Sequence, residues 1–405
     1  MQNNSGKQKL LITGAIFAYL LIGIEIIIMI SPFALYFYSV YAPVLEFFSN
    51  TPVLRWTTEF FLPHMVFVND PLILGISYLQ ILLVIGLLLF FSAAIPLYYG
   101  RFTGKGVVMI GLYSKIRHPQ YLFLAISGFG LLLYWPRFII LITYISMLFV
   151  YYILARNEEW RMKMEVPEAY EEYMKGTPMF LPGEPGGRIY DIFLGRLKPK
   201  WLGILVLYVV TLLVSVLLAV GIRQYTISQL PAVEMHDMMA VPVFERDPAE
   251  IRNIYNNLRE EPLVRKAVEK SEANLVYVLP GDFFLTALVT DEDRRFSQEM
   301  IERFPEVLEW HQHKFSGGLG KFFRIFYNFF KKLGKVETDY AVERLVFVRV
   351  ADFEGEPVTK KRIFEMGWER APVLIVDIDS FTREILTIIS PSGKNKWGEV
   401  PMPTF

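Results

Sequence analysis

Two polar clusters flank a pair of apolar runs in the first half of this chain. The first cluster is Arg117-His118-Pro119-Gln120-Tyr121, and the second is Glu158-Glu159. Between them, residues 119–135 and 138–155 are almost wholly apolar and are separated by a Trp-Pro-Arg turn. An antiparallel helical hairpin built from these runs brings both clusters to the same end. Because ionisable groups beside an apolar phase are costly to desolvate, their grouping there predicts a functional site.

The composition indicates that part of the chain lies in a membrane. Of its 405 residues, 53% are hydrophobic and only 20% are charged. A spanning helix needs about 20 mostly apolar residues. The runs that meet or approach this length are 10–37, 71–99, 119–135, 138–155 and 201–221. We therefore predict an α-helical polytopic membrane domain of about five transmembrane helices. Glu25, inside the first run, is expected to pair with another helix or with a lipid headgroup, and a role in substrate handling is the alternative.

The distribution of basic residues predicts the orientation of these helices. Two lysines in the first nine residues, four basic residues in the 100–118 loop and eight in segment 156–200 fall on one side. The other side has only Arg55 and Arg137 in its loops. Loops rich in Lys and Arg remain in the cytoplasm, so we expect a cytoplasmic N-terminus. With five spans, the chain beyond residue 222 is then extracytoplasmic.

The sequence pattern changes after residue 222, and the remainder is predicted to be an α+β soluble domain. Apolar runs typical of strands occur at 275–279, 283–289, 345–350, 373–378 and 384–389. Helical periodicity covers 248–273 and 293–313. The predicted organisation is a membrane domain at 1–222 and an extracytoplasmic domain at 223–405. The role of the second domain stays open, and a protein partner is one possibility.

Several classes of chemistry are excluded or disfavoured by composition. The chain has no cysteine, which excludes disulfides, thiolate metal sites and a cysteine nucleophile. Basic and acidic residues are equal at 41 each, so the charge does not point to nucleic acid. His311 and His313 would face different sides of a helix, and we predict no metal site. The Met-His-Asp-Met-Met run at 235–239 could hold a soft metal ion, but a juxtamembrane linker is favoured.

Two aromatic segments are predicted to lie near a bilayer surface. The 38–70 loop contains Phe47, Phe48, Trp56, Phe60 and Phe61. Amphipathic rings prefer the membrane interface, so we expect this loop to lie along it. Residues 320–333 place five phenylalanines on one helical face, with basic residues largely opposite. That helix either packs in a core or lies on a bilayer.

The motifs between about 100 and 182 resemble those of a known group of membrane enzymes. The matching positions are Gly111, Tyr113, Arg117, His118, Pro119, Tyr121, Glu158, Glu159, Tyr170, Tyr173 and Pro182. In this order they are similar to isoprenylcysteine carboxyl methyltransferase and the phospholipid N-methyltransferases. The chain departs from that pattern at Phe123, where glycine is common, and at Val166-Pro167, where phenylalanine-glycine is usual.

The resemblance implies an integral-membrane methyltransferase that uses S-adenosylmethionine and acts on a lipid, an isoprenoid or another hydrophobic acceptor. The cofactor-binding residues it implies are Arg117, His118, Tyr121, Glu158, Glu159, Tyr170 and Tyr173. The residue types agree with this ligand. Carboxylates can accept hydrogen bonds from the ribose or the ammonium group of the cofactor, and Arg and His can donate hydrogen bonds to its carboxylate. The ring faces of tyrosine suit its adenine or its sulfonium.

The catalytic residues are predicted to be His118 and Arg117. A carboxylate acceptor needs no base, whereas an amine or hydroxyl acceptor does, and His118 is the candidate base. The alternative is a non-catalytic membrane scaffold or accessory subunit with a vestigial cofactor pocket and an extracytoplasmic interaction domain. The departures at Phe123 and Val166-Pro167 keep this alternative open.

Overall fold

The computed structural model describes most of the chain, with several gaps. The described residues are 3–40, 42–103, 109–181, 197–283, 298, 301–302, 305, 324, 327–328, 341–391, 402 and 404–405. Several predictions fall outside them: most of the 283–289 strand and the 293–313 helix, His311, His313, Pro182 and the five phenylalanines of 320–333. Contacts divide the chain into two compact units, 1–40 with 74–221 and 41–73 with 222–405.

Helices dominate the described part of the first 230 residues. They are α1 (Asn3–Tyr38), α2 (Ala42–Asn50), α3 (Pro71–Tyr78), α4 (Leu82–Phe102), α5 (Pro119–Tyr134), α6 (Phe138–Glu165), α7 (Pro167–Gly176) and α8 (Lys200–Ser228). A short 3-10 turn at Leu79–Ile81 joins α3 to α4. The predicted predominance of helix in this half is confirmed.

Four helical stretches are long and apolar enough to cross a membrane. They are Tyr19–Tyr38, Pro71–Phe102, Phe138–Glu165 and Lys200–Ser228. The fifth predicted span corresponds to α5, which is apolar but has only 16 residues. Pro119 begins α5 because a proline at the first helical position loses no hydrogen bond. A membrane protein is therefore supported, with four helices of sufficient length among the described residues.

Glycines allow α4 and α5 to pack closely. A Cβ atom on Gly130 would lie 2.0 Å from the backbone nitrogen of Leu83, and one on Gly86 would lie 2.4 Å from that of Ser127. The hydroxyl of Ser127 also donates to the carbonyl of Leu83 over 2.9 Å. Small residues at such crossings let helix backbones approach one another in membranes. The contact fixes α5 against α4 and so positions the start of α5.

The second unit is built on a mixed sheet, which has six strands among the described residues. In spatial order, which is also chain order, they are β1 (Val233–Glu234), β2 (Met239–Pro242), β3 (Leu275–Pro280), β4 (Val342–Ala351), β5 (Glu369–Asp379) and β6 (Ile385–Ile389). Neighbouring strands are antiparallel except β2 and β3, which are parallel. Two helices, α9 (Pro248–Glu260) and α10 (Pro262–Ser271), connect that parallel pair and pack on the sheet.

The C-terminal mixed sheet agrees with the predicted α+β class, although two local predictions were wrong. The helix expected over 248–273 is broken at Glu261, because Pro262 starts a new helix and cannot continue the old one. The 235–239 segment is not a linker. Met235 and Met238 are buried in the core of this unit, and the chain around them forms β1 and β2.

Residues 41–73 are an integral part of the second unit. Phe60 and Phe61 are buried, at 0% and 4% exposure, contrary to the interfacial position expected for them. A backbone hydrogen bond also connects this segment to a residue far along the chain: Phe67 N–H donates to the Val243 carbonyl over 2.6 Å. Only part of the aromatic loop, including Phe47 at 63% exposure, faces outward.

Candidate functional site

A buried arginine ties together the elements that surround the predicted site. Arg117 Nε donates to Glu159 Oε1 over 2.6 Å, and both side chains are less than one-tenth exposed. Its Nη1 donates to the backbone carbonyls of Thr177 and Met174. The guanidinium therefore joins the start of α5, the last turns of α6 and the end of α7.

The backbone of the motif is fixed by the segment that follows α7. Arg117 N–H donates to the Pro178 carbonyl over 2.9 Å, and His118 N–H donates to the Met179 carbonyl over 3.1 Å. Neither N–H could find a partner inside α5, because the first amides of a helix have none there. The segment after α7 thus satisfies these donors and closes this side of the site.

His118 lies between two carboxylates. Its side chain is 4% exposed, with Nδ1 3.4 Å from Glu158 Oε2 and Nε2 3.4 Å from Glu159 Oε1. Within the described residues, neither ring nitrogen has a partner in good hydrogen-bond geometry. Burial lowers the pKa of His118, but Glu158 and Glu159 outweigh it and raise that pKa above the ordinary 6.5. The site therefore favours a protonated imidazolium.

Tyr121 fixes the position of Glu158. Its side chain is 1% exposed, and its hydroxyl donates to Glu158 Oε1. The Tyr121 ring stacks on His118, with centroids 5.7 Å apart, and on Tyr151 at 4.8 Å. Neither Tyr121 nor Glu159 lines the cavity. Tyr121 orients Glu158 by a hydrogen bond and His118 by stacking. Glu159 orients Arg117 through their ion pair.

Two tyrosines of α7 face the same site. Tyr170 and Tyr173 have ring centroids 5.7 Å apart, and both line the cavity described below. The Tyr173 hydroxyl donates to the carbonyl of Tyr113, which connects α7 to the loop before α5. Burial raises the pKa of Tyr173 to about 12, so its hydroxyl remains protonated and keeps this hydrogen bond.

The side chains line a half-open cavity of about 540 Å³ within the first unit. Five of the predicted site residues line it: Arg117, His118, Glu158, Tyr170 and Tyr173. The other lining residues are Ile22, Glu25, Met29, Leu97, Tyr98, Arg101, Tyr113, Gln120, Arg161, Met162, Glu165 and Val166. Phe123 is buried and does not contribute to the wall. Cavities of about 300–1,000 Å³ commonly hold small molecules and cofactors.

The sequence prediction missed one charged cluster on this wall. Glu25 of α1 accepts from Arg101 of α4, and also from Arg161 of α6 over 3.2 Å. The expected helix–helix partner of Glu25 is thus present. An acidic residue inside an apolar run, and an arginine at the end of another, were the signals that could have identified this cluster.

The arrangement can hold a ligand that carries both charges and an aromatic part. Carboxylate, imidazolium, guanidinium and phenol groups all face one cavity. In the described part of the chain, no group of three His, Asp or Glu residues is placed to hold a metal ion. Searches against protein-family models, curated proteins and solved structures give no match to this chain.

Proposed function

We propose that this chain is an integral-membrane methyltransferase that uses S-adenosylmethionine and acts on a lipid, an isoprenoid or another hydrophobic acceptor. One observation carries the proposal. Five residues that the sequence predicts as cofactor contacts line one cavity of suitable volume. They extend over 56 positions, from Arg117 to Tyr173, so closeness in sequence alone does not explain why they meet.

The residues on the wall fit this cofactor. The His118 imidazolium, which lines the cavity between Glu158 and Glu159, would place a positive charge beside the cofactor's carboxylate, and Glu158 would accept a hydrogen bond from its ribose or ammonium group. Tyr170 and Tyr173 would offer ring faces to adenine or the sulfonium. Arg117 is already engaged by Glu159 and two carbonyls, so in this proposal it positions the site. The bound cofactor supplies an activated methyl group.

The chain itself would align the methyl acceptor, exclude water and, for an amine or hydroxyl acceptor, take up one proton. Because the pKa of His118 is raised, its imidazolium is a donor at neutral pH and a poor base. An amine or hydroxyl that accepts the methyl group would lose its proton to a carboxylate of the cavity wall, of which Glu158, with its side chain 30% exposed, is one. A carboxylate methyl acceptor needs no base.

The proposed topology has five spans, a cytoplasmic N-terminus and an extracytoplasmic second unit. It rests on the asymmetry of basic residues in the loops. At 1.5 Å per residue, the 16 residues of α5 extend about 24 Å, against a hydrocarbon core of about 30 Å. Local bilayer thinning accommodates such a short span. The cofactor would enter from the cytoplasm and the acceptor through the bilayer.

Titration calorimetry of the purified full chain with S-adenosylhomocysteine tests this function. We expect saturable binding, and we expect His118→Ala and Glu158→Gln each to weaken it by at least about tenfold, or about 1.4 kcal/mol. Glu171→Gln is the matched control, because Glu171 is exposed on α7 and does not line the cavity. Folded protein that shows no binding up to millimolar ligand would contradict the proposal and favour the scaffold alternative.

A further inference from the structure

The cavity wall carries a second charged group beside the predicted cofactor contacts. It consists of Glu25 in α1, Arg101 in α4 and Arg161 in α6, and we call it the Glu25 cluster. Arg101 Nη1 donates to Glu25 Oε2, and Arg161 Nη1 donates to Glu25 Oε1 over 3.2 Å. One carboxylate thus faces two guanidinium groups, which leaves one positive charge of the cluster uncompensated. None of the three positions is among those that resemble the membrane methyltransferases.

Both arginines of the cluster keep donors that a ligand can use. The side chains of Arg101 and Arg161 are 32% and 41% exposed, and both line the cavity. Within the described residues, each donates a hydrogen bond through Nη1 alone, and the buried Nε of Arg161 has no partner. An unpaired buried donor is unfavourable, so oxygen atoms of a ligand would be bound there.

The other carboxylates on the wall do not remove this positive charge. Glu158 lies beside His118, and the Tyr121 hydroxyl donates to it. Glu165 follows Arg161 by one helical turn but is exposed, so water and salt screen its charge. The part of the cavity near Arg101 and Arg161 therefore attracts anions.

The same part of the wall offers apolar side chains. Ile22 and Met29 lie three residues before and four residues after Glu25, a spacing that keeps them on one face of α1. Leu97 lies four residues before Arg101 in α4. Guanidinium groups and apolar side chains on one wall suit an amphiphile, which has a charged group and an apolar chain.

The length of the helical stretch that contains Arg101 gives the orientation of such a ligand. Pro71–Phe102 has 32 residues and is about 48 Å long at about 1.5 Å per residue. A bilayer with its headgroups is about 40–45 Å thick, so the last residues of a stretch that crosses it reach the headgroup level. Leu97 is then about 6 Å deeper than Arg101. The charged group of the ligand would lie at the bilayer surface, with its chain toward the hydrocarbon.

We propose that Arg101 and Arg161 bind the charged group of the methyl acceptor, which is therefore an amphiphile with one negative charge on a phosphodiester or a carboxylate. That this ligand is the methyl acceptor rests on the function proposed above. One negative charge balances the cluster while Glu25 stays in place, whereas a neutral or cationic amphiphile does not. The forked donors of arginine match the paired oxygens of either group. Arg161 is about 4.5 Å along α6 from Glu158, so the ligand would lie beside the proposed cofactor contacts.

Native mass spectrometry of the full chain in a neutral detergent tests this subsite. The probes are dioleoyl phosphatidylglycerol, which is a phosphodiester, N-oleoylglycine, which is a carboxylate, and uncharged dioleoylglycerol. We expect an anionic probe to bind at least about tenfold more tightly than dioleoylglycerol, and the tighter of the two anionic probes identifies the group. Arg101→Gln and Arg161→Gln should each weaken its binding by at least about tenfold, as the loss of hydrogen bonds to a charged group predicts.

Glu25→Gln provides a readout that a merely structural role of the cluster would not give. It removes the carboxylate that competes for both arginines, so the anionic probe should bind more tightly than it binds to the wild type. Arg156→Gln is the matched control, because Arg156 is an exposed arginine of α6 that does not line the cavity. It should leave the binding of every probe unchanged.

Equal binding of the three probes, or binding of the anionic probe that both arginine substitutions leave unchanged, would overturn the subsite. Calorimetry of the same variants with S-adenosylhomocysteine should show unchanged affinity. Loss of that affinity with intact binding of the anionic probe would assign the arginines to the cofactor and also overturn the proposal. Wild-type protein that binds the anionic probe but not S-adenosylhomocysteine would contradict the methyltransferase function and support the subsite alone. Thermal unfolding identifies any variant that does not fold, and the charge selectivity of the wild type then decides.

Discussion

Arg117 and Glu159 form a buried ion pair, 2.6 Å between Nε and Oε1, although 42 positions separate them in the chain. The pair joins the start of α5 to the end of α6, so it closes the helical hairpin at the end where the cavity lies. His118 and Glu158, the neighbours of these two residues, are brought to the cavity wall by the same closure. The stability of the site therefore depends on this pair.

Replacing Arg117 by methionine should destabilise the protein strongly. The variant leaves the Glu159 carboxylate buried without its guanidinium, and removal of one partner from a buried pair typically costs about 3–5 kcal/mol. Replacing both residues, as Arg117→Met with Glu159→Met, removes the uncompensated charge and should recover part of that loss. Thermal unfolding in detergent measures both effects.

The matched control is the exposed pair of Arg362 and Glu365, in which both side chains are 49% exposed. Solvent screens such a pair, so Glu365→Gln should cost less than about 1 kcal/mol. Equal losses of stability for Arg117→Met and Glu365→Gln would mean that the Arg117–Glu159 pair does not hold the hairpin closed.

The charge state of His118 should make stability depend on pH. Glu158 and Glu159 raise the pKa of His118 above its ordinary 6.5 in the folded state. When folding raises the pKa of a histidine, the protonated form stabilises the folded protein. This stabilisation is complete at pH values below the pKa in the unfolded chain, and it is lost as the pH rises through the pKa in the folded protein. His118→Gln should therefore lower the unfolding temperature more at about pH 6 than at about pH 9. An equal loss at both pH values would exclude a stabilising imidazolium.

The close approach of α4 and α5 predicts a sharp difference between two glycine substitutions. Gly130→Ala would place a Cβ atom 2.0 Å from the Leu83 nitrogen, so the helices must separate. Overpacking of this kind costs about 1–3 kcal/mol. Gly75→Ala in α3 meets nothing within 4 Å and should be neutral or stabilising by up to about 1 kcal/mol. Comparable effects of the two substitutions in an unfolding assay would contradict the observed packing.

Local patterns in the sequence identified most elements because length, apolarity and strand-like runs are local properties. α5 was predicted as 119–135 and observed as Pro119–Tyr134. β3 and β6 were likewise found from runs of apolar residues that differ from the observed strands by only one residue. The break at Pro262 was missed because the apolar periodicity continues across it.

Contacts between distant segments could not be predicted in the same way. Glu25, Arg101 and Arg161 meet at the cavity only because α1, α4 and α6 pack together. The grouping of residues 41–73 with 222–405 similarly depends on tertiary contacts, such as the burial of Phe60 in the second unit. The hairpin site was accessible from sequence because a short turn requires its two helices to be antiparallel.

Glu59 is the centre of a second buried ionic cluster, within the second unit. Its carboxylate accepts from Arg370 and from the Thr404 hydroxyl, and it lies 3.5 Å from Arg223 Nη2. Its residue exposure is only 6%. Burial raises the pKa of Glu59, but Arg370 and Arg223 outweigh it and hold that pKa below the ordinary 4.5. The carboxylate thus remains ionised and pairs with two buried arginines.

Glu59→Gln should cost about 3–5 kcal/mol at neutral pH, because it leaves these arginines buried without their carboxylate. When folding lowers the pKa of a carboxyl group, the ionised form stabilises the folded protein. This stabilisation is present at pH values above the pKa in the unfolded chain, and it is lost as the pH falls through the pKa in the folded protein. The difference between wild type and Glu59→Gln should therefore shrink as the pH falls below 4.5. Denaturant unfolding across that pH range measures this difference.

Glu369→Gln is the control, since Glu369 is 64% exposed and lies 4.0 Å from Arg55. It should change stability by less than about 1 kcal/mol at any pH. A pH-independent loss for Glu59→Gln would show that packing, not charge, accounts for its effect.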